Sequence, residues 1–118
     1  MGTHDGTSMR IRGSPWVAAF AAIGLALPAA CGRPAPRLHT VEISGFGYLP
    51  ATLEVAAGDT VVWINRDAVP HTVTQDGGDW DSGSINAEQE WRWIAGPAGT
   101  QRYVCTFHPI MQGELVVR

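Results

Sequence analysis

Four side chains able to hold a soft metal ion stand in two short stretches of this sequence. Cys105-Thr106-Phe107-His108-Pro109-Ile110-Met111 lies near the C-terminus, and Val69-Pro70-His71 ends 34 positions before the cysteine. Together they offer one thiolate, two imidazoles and one thioether. Two histidines and a cysteine with a weak axial methionine are the donors of a blue-copper electron-transfer site. Structural zinc is bound by cysteine, histidine and carboxylate rather than by methionine, so the thioether favours copper. His71, Cys105 and His108 are expected to be the strong trigonal donors, and Met111 the weak axial one that tunes the potential. Taken singly, each has a plainer reading. His71 would be a surface or core histidine, Met111 core filler, and Cys105 a small buried apolar residue. The conjunction, with Pro70 before one histidine and Pro109 after the other, carries the metal reading. His4 and His39 have no such company.

Such a site needs elements to position it. Cys105, His108 and Met111 are spaced three and three, which places them at the end of a strand and in the tight loop after it. His71 must then approach from a different part of the fold, so the site ties two loops together at one end. The surrounding pattern is strand after strand. Leu38–Ser44, Thr52–Ala56 and Gln89–Ala95 read as strands, the last with Trp91 and Trp93 on one face. Thr60–Asn65 is β-branched and aromatic, a strong strand signal. His71–Gln75, Thr100–Cys105 and Gly113–Val117 complete the set. Gly45–Pro50, Ala57-Gly58-Asp59, Asp76–Gly83 and Gly96–Gly99 read as turns and loops. No stretch after residue 37 carries a helical period. Seven to eight short strands with frequent turns predict an all-β, Greek-key β-sandwich. About 80 residues make a marginal core, to which a bound metal would add stability by mass action.

The N-terminal part reads differently. Arg10 and Arg12 precede a twelve-residue apolar run, Trp16–Leu27, followed by Pro28-Ala29-Ala30-Cys31. A positive start, a short apolar segment and a small-residue site make a secretory signal, here residues 1–31. Twelve residues are too few to span a bilayer as a helix. Translation could start at Met1 or at Met9, which opens Met-Arg-Ile-Arg. Cys31 stands where a bacterial lipoprotein carries its acylated cysteine, although Pro28 replaces the usual leucine. Lipidation at Cys31 and simple cleavage near Ala30 are the two alternatives, and both export the protein to the periplasm or the outer surface of a membrane. Gly32–Arg37, with two prolines, is a short extended tether, and residues 38–118 form the domain. A Cys31–Cys105 disulfide would consume the thiolate the metal needs.

From Gly32 onward the chain has six Arg, no Lys and ten Asp plus Glu, a formal charge of 6 − 10 = −4. Nucleic acid, which needs a basic face, is therefore not an expected partner. Asp76, Asp79 and Asp81 sit in one Gly-rich turn and read as a solvated loop.

Thr60–Val73 (TVVWINRDAVPHTV), Tyr103–Val116 (YVCTFHPIMQGELV) and Val55–Val61 resemble the plastocyanin/azurin cupredoxins, and within them the amicyanin group, whose ligand loop has the same C-x2-H-P-x-M form. The resemblance runs from about Val41 to Val117. It implies one mononuclear type 1 copper, bound by both imidazoles through Nδ1. It also implies that His108 exposes its ring edge through an apolar patch where redox partners dock. Pro70, Phe107, Pro109 and Ile110, with Tyr48 or Phe46, are the candidates for that patch. Relatives often carry Asn after the first histidine, where it bonds the cysteine sulfur; this chain has Thr72. The family also implies that acid slows self-exchange through protonation of His108 in the reduced state.

The expected function is an exported, monomeric one-electron carrier between a dehydrogenase, cytochrome or reductase and an acceptor, and not an enzyme. No nucleophile elbow, phosphate loop or second copper cluster is present in the sequence. The alternative is a copper carrier or storage protein of the cell envelope, which would hand the ion over. Met-rich or His-rich tracts that would favour it are absent. A metal-free adhesion domain is the third reading.

Overall fold

Leu38–Ser44 alternates by burial as by sequence: Val41 and Ile43 point inward, and Thr40 and Glu42 face solvent. That two-residue period builds a half-buried strand. The computed structural model describes residues 34–118 without a break, together with residues 2, 3, 6, 13–16, 18, 19, 21–26 and 32. Met9, Pro28–Ala30, Cys31 and His4 lie outside the described residues. The chain divides into two units, Met1–Gly32 and Arg33–Arg118. No helix among the described residues is long and apolar enough to cross a membrane.

The second unit has eight strands: β1 Leu38–Ser44, β2 Gly47–Leu49, β3 Thr52–Val55, β4 Thr60–Asn65, β5 Thr74–Gln75, β6 Glu90–Ile94, β7 Gly99–Val104 and β8 Gln112–Val117. One sheet has the order β2-β1-β4-β6 and the other β3-β8-β7-β5. Each contains one parallel pair, β1 with β4 and β3 with β8. Only β1–β2 and β7–β8 are hairpins between consecutive strands. From β2 to β7 each consecutive step changes sheet, so the two layers are laced together. The fold is the expected all-β sandwich. β4, flanked by β1 and β6, buries Val61, Val62, Trp63 and Asn65.

Two segments depart from the sequence reading. Gly45–Pro50, expected as a turn-rich stretch, contains β2. The turn is confined to Gly45 and Phe46, both with positive φ (59° and 57°), as a two-residue hairpin connection requires. His71–Gln75 is strand only at Thr74–Gln75, and His71 makes a single bridge to Ile85. The intervening backbone bonds elsewhere: Val73 N–H donates to Ser82 Oγ at 2.8 Å, and Val73 C=O accepts from Ser82 N–H at 2.9 Å. The acidic turn is the solvated loop expected; its Asp81 carboxylate accepts from Thr74 Oγ1 and Gly83 N–H, both at 2.9 Å.

Gly113 faces Tyr103 across the β7–β8 ladder, and a Cβ there would collide with the tyrosine ring. The missing side chain is what lets Tyr103 lie buried in the core two residues before Cys105.

At the end of the sandwich where the tether enters, Asp59 gathers the backbone. Its Oδ1 accepts Arg37 N–H at 2.9 Å, and its Oδ2 accepts Ala56 N–H at 2.9 Å and faces His39 Nε2 at 2.8 Å. His39, solitary in sequence, is thus partnered. The Arg37 and Ala56 amides and the His39 ring hold the Asp59 carboxyl at about 2, against burial, which works to raise it. A folded-state value below the unfolded one stabilises the fold above the unfolded value and loses that contribution as pH falls through the folded one. Acid titration of stability should therefore show a loss between about pH 4 and about pH 2 that Asp59→Asn flattens, because the variant lacks the contribution already at neutral pH. Denaturant unfolding at several pH values checks this; parallel curves for the two proteins would contradict it.

Candidate metal centre

β4 ends at Asn65, and the turn that follows delivers His71. Asn65 is fully buried. Its Nδ2 donates to the carbonyls of Val69 (2.8 Å) and Ile85 (2.9 Å), and its Oδ1 accepts Asp67 N–H at 2.9 Å. One buried amide side chain thus ties the irregular turn after β4, through Asp67 N–H and Val69 C=O, to Ile85 C=O in a separate segment. His71 N–H and C=O then pair with Ile85 at 3.1 and 2.8 Å.

Asp67 orients the imidazole. Its Oδ2 lies 2.8 Å from His71 Nε2 and accepts Phe46 N–H at 2.9 Å, while Oδ1 accepts Gly45 N–H at 2.8 Å. Burial works to raise the Asp67 carboxyl, but the Phe46 and Gly45 amides and the His71 ring bring it below the usual carboxylate range. An ionised carboxylate only accepts, so His71 carries its proton on Nε2 and turns a lone pair on Nδ1 inward. A carboxylate behind a ligating histidine fixes tautomer and ring orientation in this way.

The second half of the site is the loop after β7. Cys105 is fully buried and carries a free thiol. Cys105 N–H donates to Met111 C=O (3.1 Å) and Met111 N–H to His108 C=O (2.9 Å), closing the loop on itself. The Met111 side chain is buried in the core and His108 is half-buried. The structure therefore brings the sequence-predicted residues to one end of the sandwich. The donor atoms of His71, Cys105 and His108 all lie within 4.8 Å of one another.

Cys105 Sγ is 3.7 Å from His71 Nδ1 and 3.8 Å from His108 Nδ1. An ion about 2.3 Å from sulfur and 2.0–2.1 Å from nitrogen, in a trigonal plane, sets that S···N separation at about 3.8 Å. A soft thiolate between two imidazoles with these spacings fits copper.

Thr72 couples the halves in two ways. Its N–H donates to Cys105 Sγ at 3.3 Å. Its hydroxyl accepts Thr106 N–H at 2.9 Å and contacts the Thr74 and Thr106 hydroxyls at 3.0 and 3.1 Å. The sulfur is thus bonded by the backbone amide, and the hydroxyl clamps the ligand loop instead. Phe46 stands edge-on to both imidazoles, 5.2 Å from His71 and 5.0 Å from His108 by ring centroid. Its left-handed backbone, costing about 1–2 kcal/mol, is held by Asp67. Phe46, Phe107 and Ile110 are exposed, Ile110 at 89%. Tyr48, a candidate for that patch from sequence, is buried at 2% exposure, and its hydroxyl donates to Thr72 C=O. It faces inward because β2 pairs with β1 and turns every second side chain to the core. Sequence reasoning missed Asn65 and Asp67. The only available signal was an Asn-x-Asp following a strand, a turn pattern without metal meaning.

The family model of copper-binding proteins of the plastocyanin/azurin family matches residues 36–118. The chain belongs to the plastocyanin/azurin family. Amicyanin of Paracoccus denitrificans is 37% identical over 95 residues, covering 76% of this chain and 72% of that protein. Amicyanin-alpha of Methylorubrum extorquens is 30% identical over 118 residues, covering 91% of this chain and 99% of that protein. A solved amicyanin variant in the Cu(I) form superposes with a TM-score of 0.65 at 36% identity, covering 69% of this chain and 82% of that one.

As a member of this family the cupredoxin carries one copper and acts as a type 1 copper electron carrier rather than an enzyme. Bound copper supplies the Cu(I)/Cu(II) couple. The residues that would hold it are fixed in advance: a histidine locked by Asp67, a sulfur held by an amide, and a loop closed by its own hydrogen bonds. Donors that move little between oxidation states favour fast electron exchange.

Proposed function

We propose that His71, Cys105 and His108 are the strong ligands of the copper, through Nδ1, Sγ and Nδ1, and that Met111 is the weak axial donor. The observation that carries this reading is the pair of S···N separations, 3.7 and 3.8 Å. They match two edges of a trigonal coordination plane. The full burial of His71 and Cys105 supports retention of the ion over handover to another protein, and so an electron shuttle over a copper carrier.

Electrons pass at the His108 edge. Phe46, Phe107 and Ile110, exposed at that end, offer the apolar contact for a donor and an acceptor of the dehydrogenase, cytochrome or reductase classes, met by a monomer. Residues 1–31 direct export, Cys31 is the candidate lipid anchor, and residues 32–37 tether the domain outside the cytoplasmic membrane. Reversible one-electron voltammetry of the copper-loaded domain tests the shuttle; ready loss of copper to a chelator with sluggish electrochemistry would sink it. Met111→Leu should raise the reduction potential with copper retained, because a donor that stabilises Cu(II) is removed. A fall in potential would show that Met111 is not axial.

A further inference from the structure

Trp63, Trp80, Trp91 and Trp93 form one connected set of rings with Tyr103 and Tyr48. Trp63 is fully buried. Its ring centroid is 5.5 Å from Tyr103, 5.5 Å from Trp91 and 6.0 Å from Trp80. Trp80 lies 4.7 Å from Trp93, 6.0 Å from Trp91 and 5.9 Å from Tyr103. Tyr103 lies 4.7 Å from Tyr48. At one end of the set Trp91 and Trp93, on the edge strand β6, are half-buried and reach solvent. At the other end the Tyr48 hydroxyl donates to Thr72 C=O at 2.5 Å, and Thr72 N–H donates to Cys105 Sγ. Contact is unbroken from the sulfur to the flank of the sandwich. Among these ring contacts, every path from the tryptophans to Thr72 passes through Tyr103 and Tyr48.

Core filling explains the volume of these rings but not their chemistry. Trp80 Nε1 is buried without a hydrogen-bond partner. That orphan costs about 1–3 kcal/mol, and leucine or phenylalanine would fill the space without it. An indole whose N–H has no acceptor keeps its proton when it loses an electron, so an electron crosses Trp80 without a coupled proton.

We propose that this ring set is a second electron route, separate from the His108 edge, that carries oxidising equivalents from the β6 flank to the metal end. The inference rests on the copper reading above. A one-electron oxidant of the radical class takes an electron from Trp91 or Trp93 and is itself reduced, leaving an indole radical cation. An electron from the reduced metal–thiolate end refills that indole through Thr72, Tyr48, Tyr103 and Trp63 or Trp80, and that end is oxidised by one electron. No bond between heavy atoms forms or breaks, and a proton that the solvent-facing indole gives to water on oxidation returns from water when the electron refills it. The direction is downhill, because an aromatic radical cation is a far stronger oxidant than the cupric state of a carrier. The two tyrosines act as contacts rather than radical sites.

The test is pulse radiolysis of the reduced, copper-loaded protein with azidyl radical as the oxidant, following the indole radical and the blue band together. The indole signal should decay at a rate independent of protein concentration, with matching growth of blue colour. Tyr103→Leu and Tyr48→Phe should each lose this phase, whereas Tyr103→Phe, which keeps the ring, should retain it. Metal-free protein given the same dose should accumulate oxidised Trp91 and Trp93 by peptide mass spectrometry, and the reduced copper form should not. Decay of the radical only by encounter between molecules would overturn the proposal. So would survival of the phase in Tyr48→Phe, the variant least disturbing to the fold, with its blue spectrum intact. Failure of the copper reading shows separately, as protein that stays colourless with Cu(II) before any radical is made; the route then has no electron source and falls with it.

Discussion

Cys105→Ser protein titrated with Cu(II) should stay free of intense visible colour while keeping its fold. The blue band of a type 1 site arises from charge transfer out of a thiolate, and a serine hydroxyl, which stays protonated at neutral pH, has no equivalent electron to give. The fold should survive because the replacement is nearly isosteric and the one group bonded to the sulfur, Thr72 N–H, can bond the hydroxyl instead. The buried position makes the new hydroxyl cost about 1–3 kcal/mol where it is not fully satisfied. Metal left on His71 and His108 should give the EPR signature of an ordinary cupric site. Absorption, EPR and near-UV circular dichroism decide the matter; retained strong colour would refute the ligand assignment.

The second large effect is expected at a residue that does not touch the metal. Asp67→Ala should weaken copper retention by about 10–100-fold, the range found when the partner behind a ligating histidine is lost. The carboxylate does two jobs from one position. It fixes the Nε2–H tautomer of His71 at 2.8 Å, and it holds the Gly45–Phe46 turn by two N–H bonds. The variant frees the imidazole to rotate and releases Phe46 from its edge-on contact with both histidines. Competition with a chelator measures the loss. An unchanged dissociation constant would show that the Asn65 network alone positions His71.

The parts of this site legible in the sequence are those written as local spacing. Cys-x2-His-x2-Met confines three candidate donors to one short loop, alternation locates β1 and β6, and β-branched and aromatic residues locate β4. The parts not legible are those that depend on which strands become neighbours. Asp67 reads as one more surface carboxylate until β1 pairs in parallel with β4 and brings the Gly45 turn beside it. Tyr48 reads as a surface aromatic in a glycine-rich turn until the two-residue hairpin turns it inward. At Thr72 the side-chain chemistry drew attention, yet the sulfur is held by the amide that any non-proline residue provides. β5 is short because its backbone partners lie in a loop whose hydroxyls and carboxylates no periodicity reveals.

The direction of β1 has one further consequence. The strand leaves Arg37 beside Asp59 and runs parallel to β4 toward the Gly45 turn, about 20 Å away at strand rise. Arg37 and the metal end therefore occupy opposite poles of the domain. Were the domain held to a surface through residues before Arg37, nothing in its own body would set the metal end against that surface. Soluble exchange partners then need no clearance from that surface, and a leash of a few residues suffices.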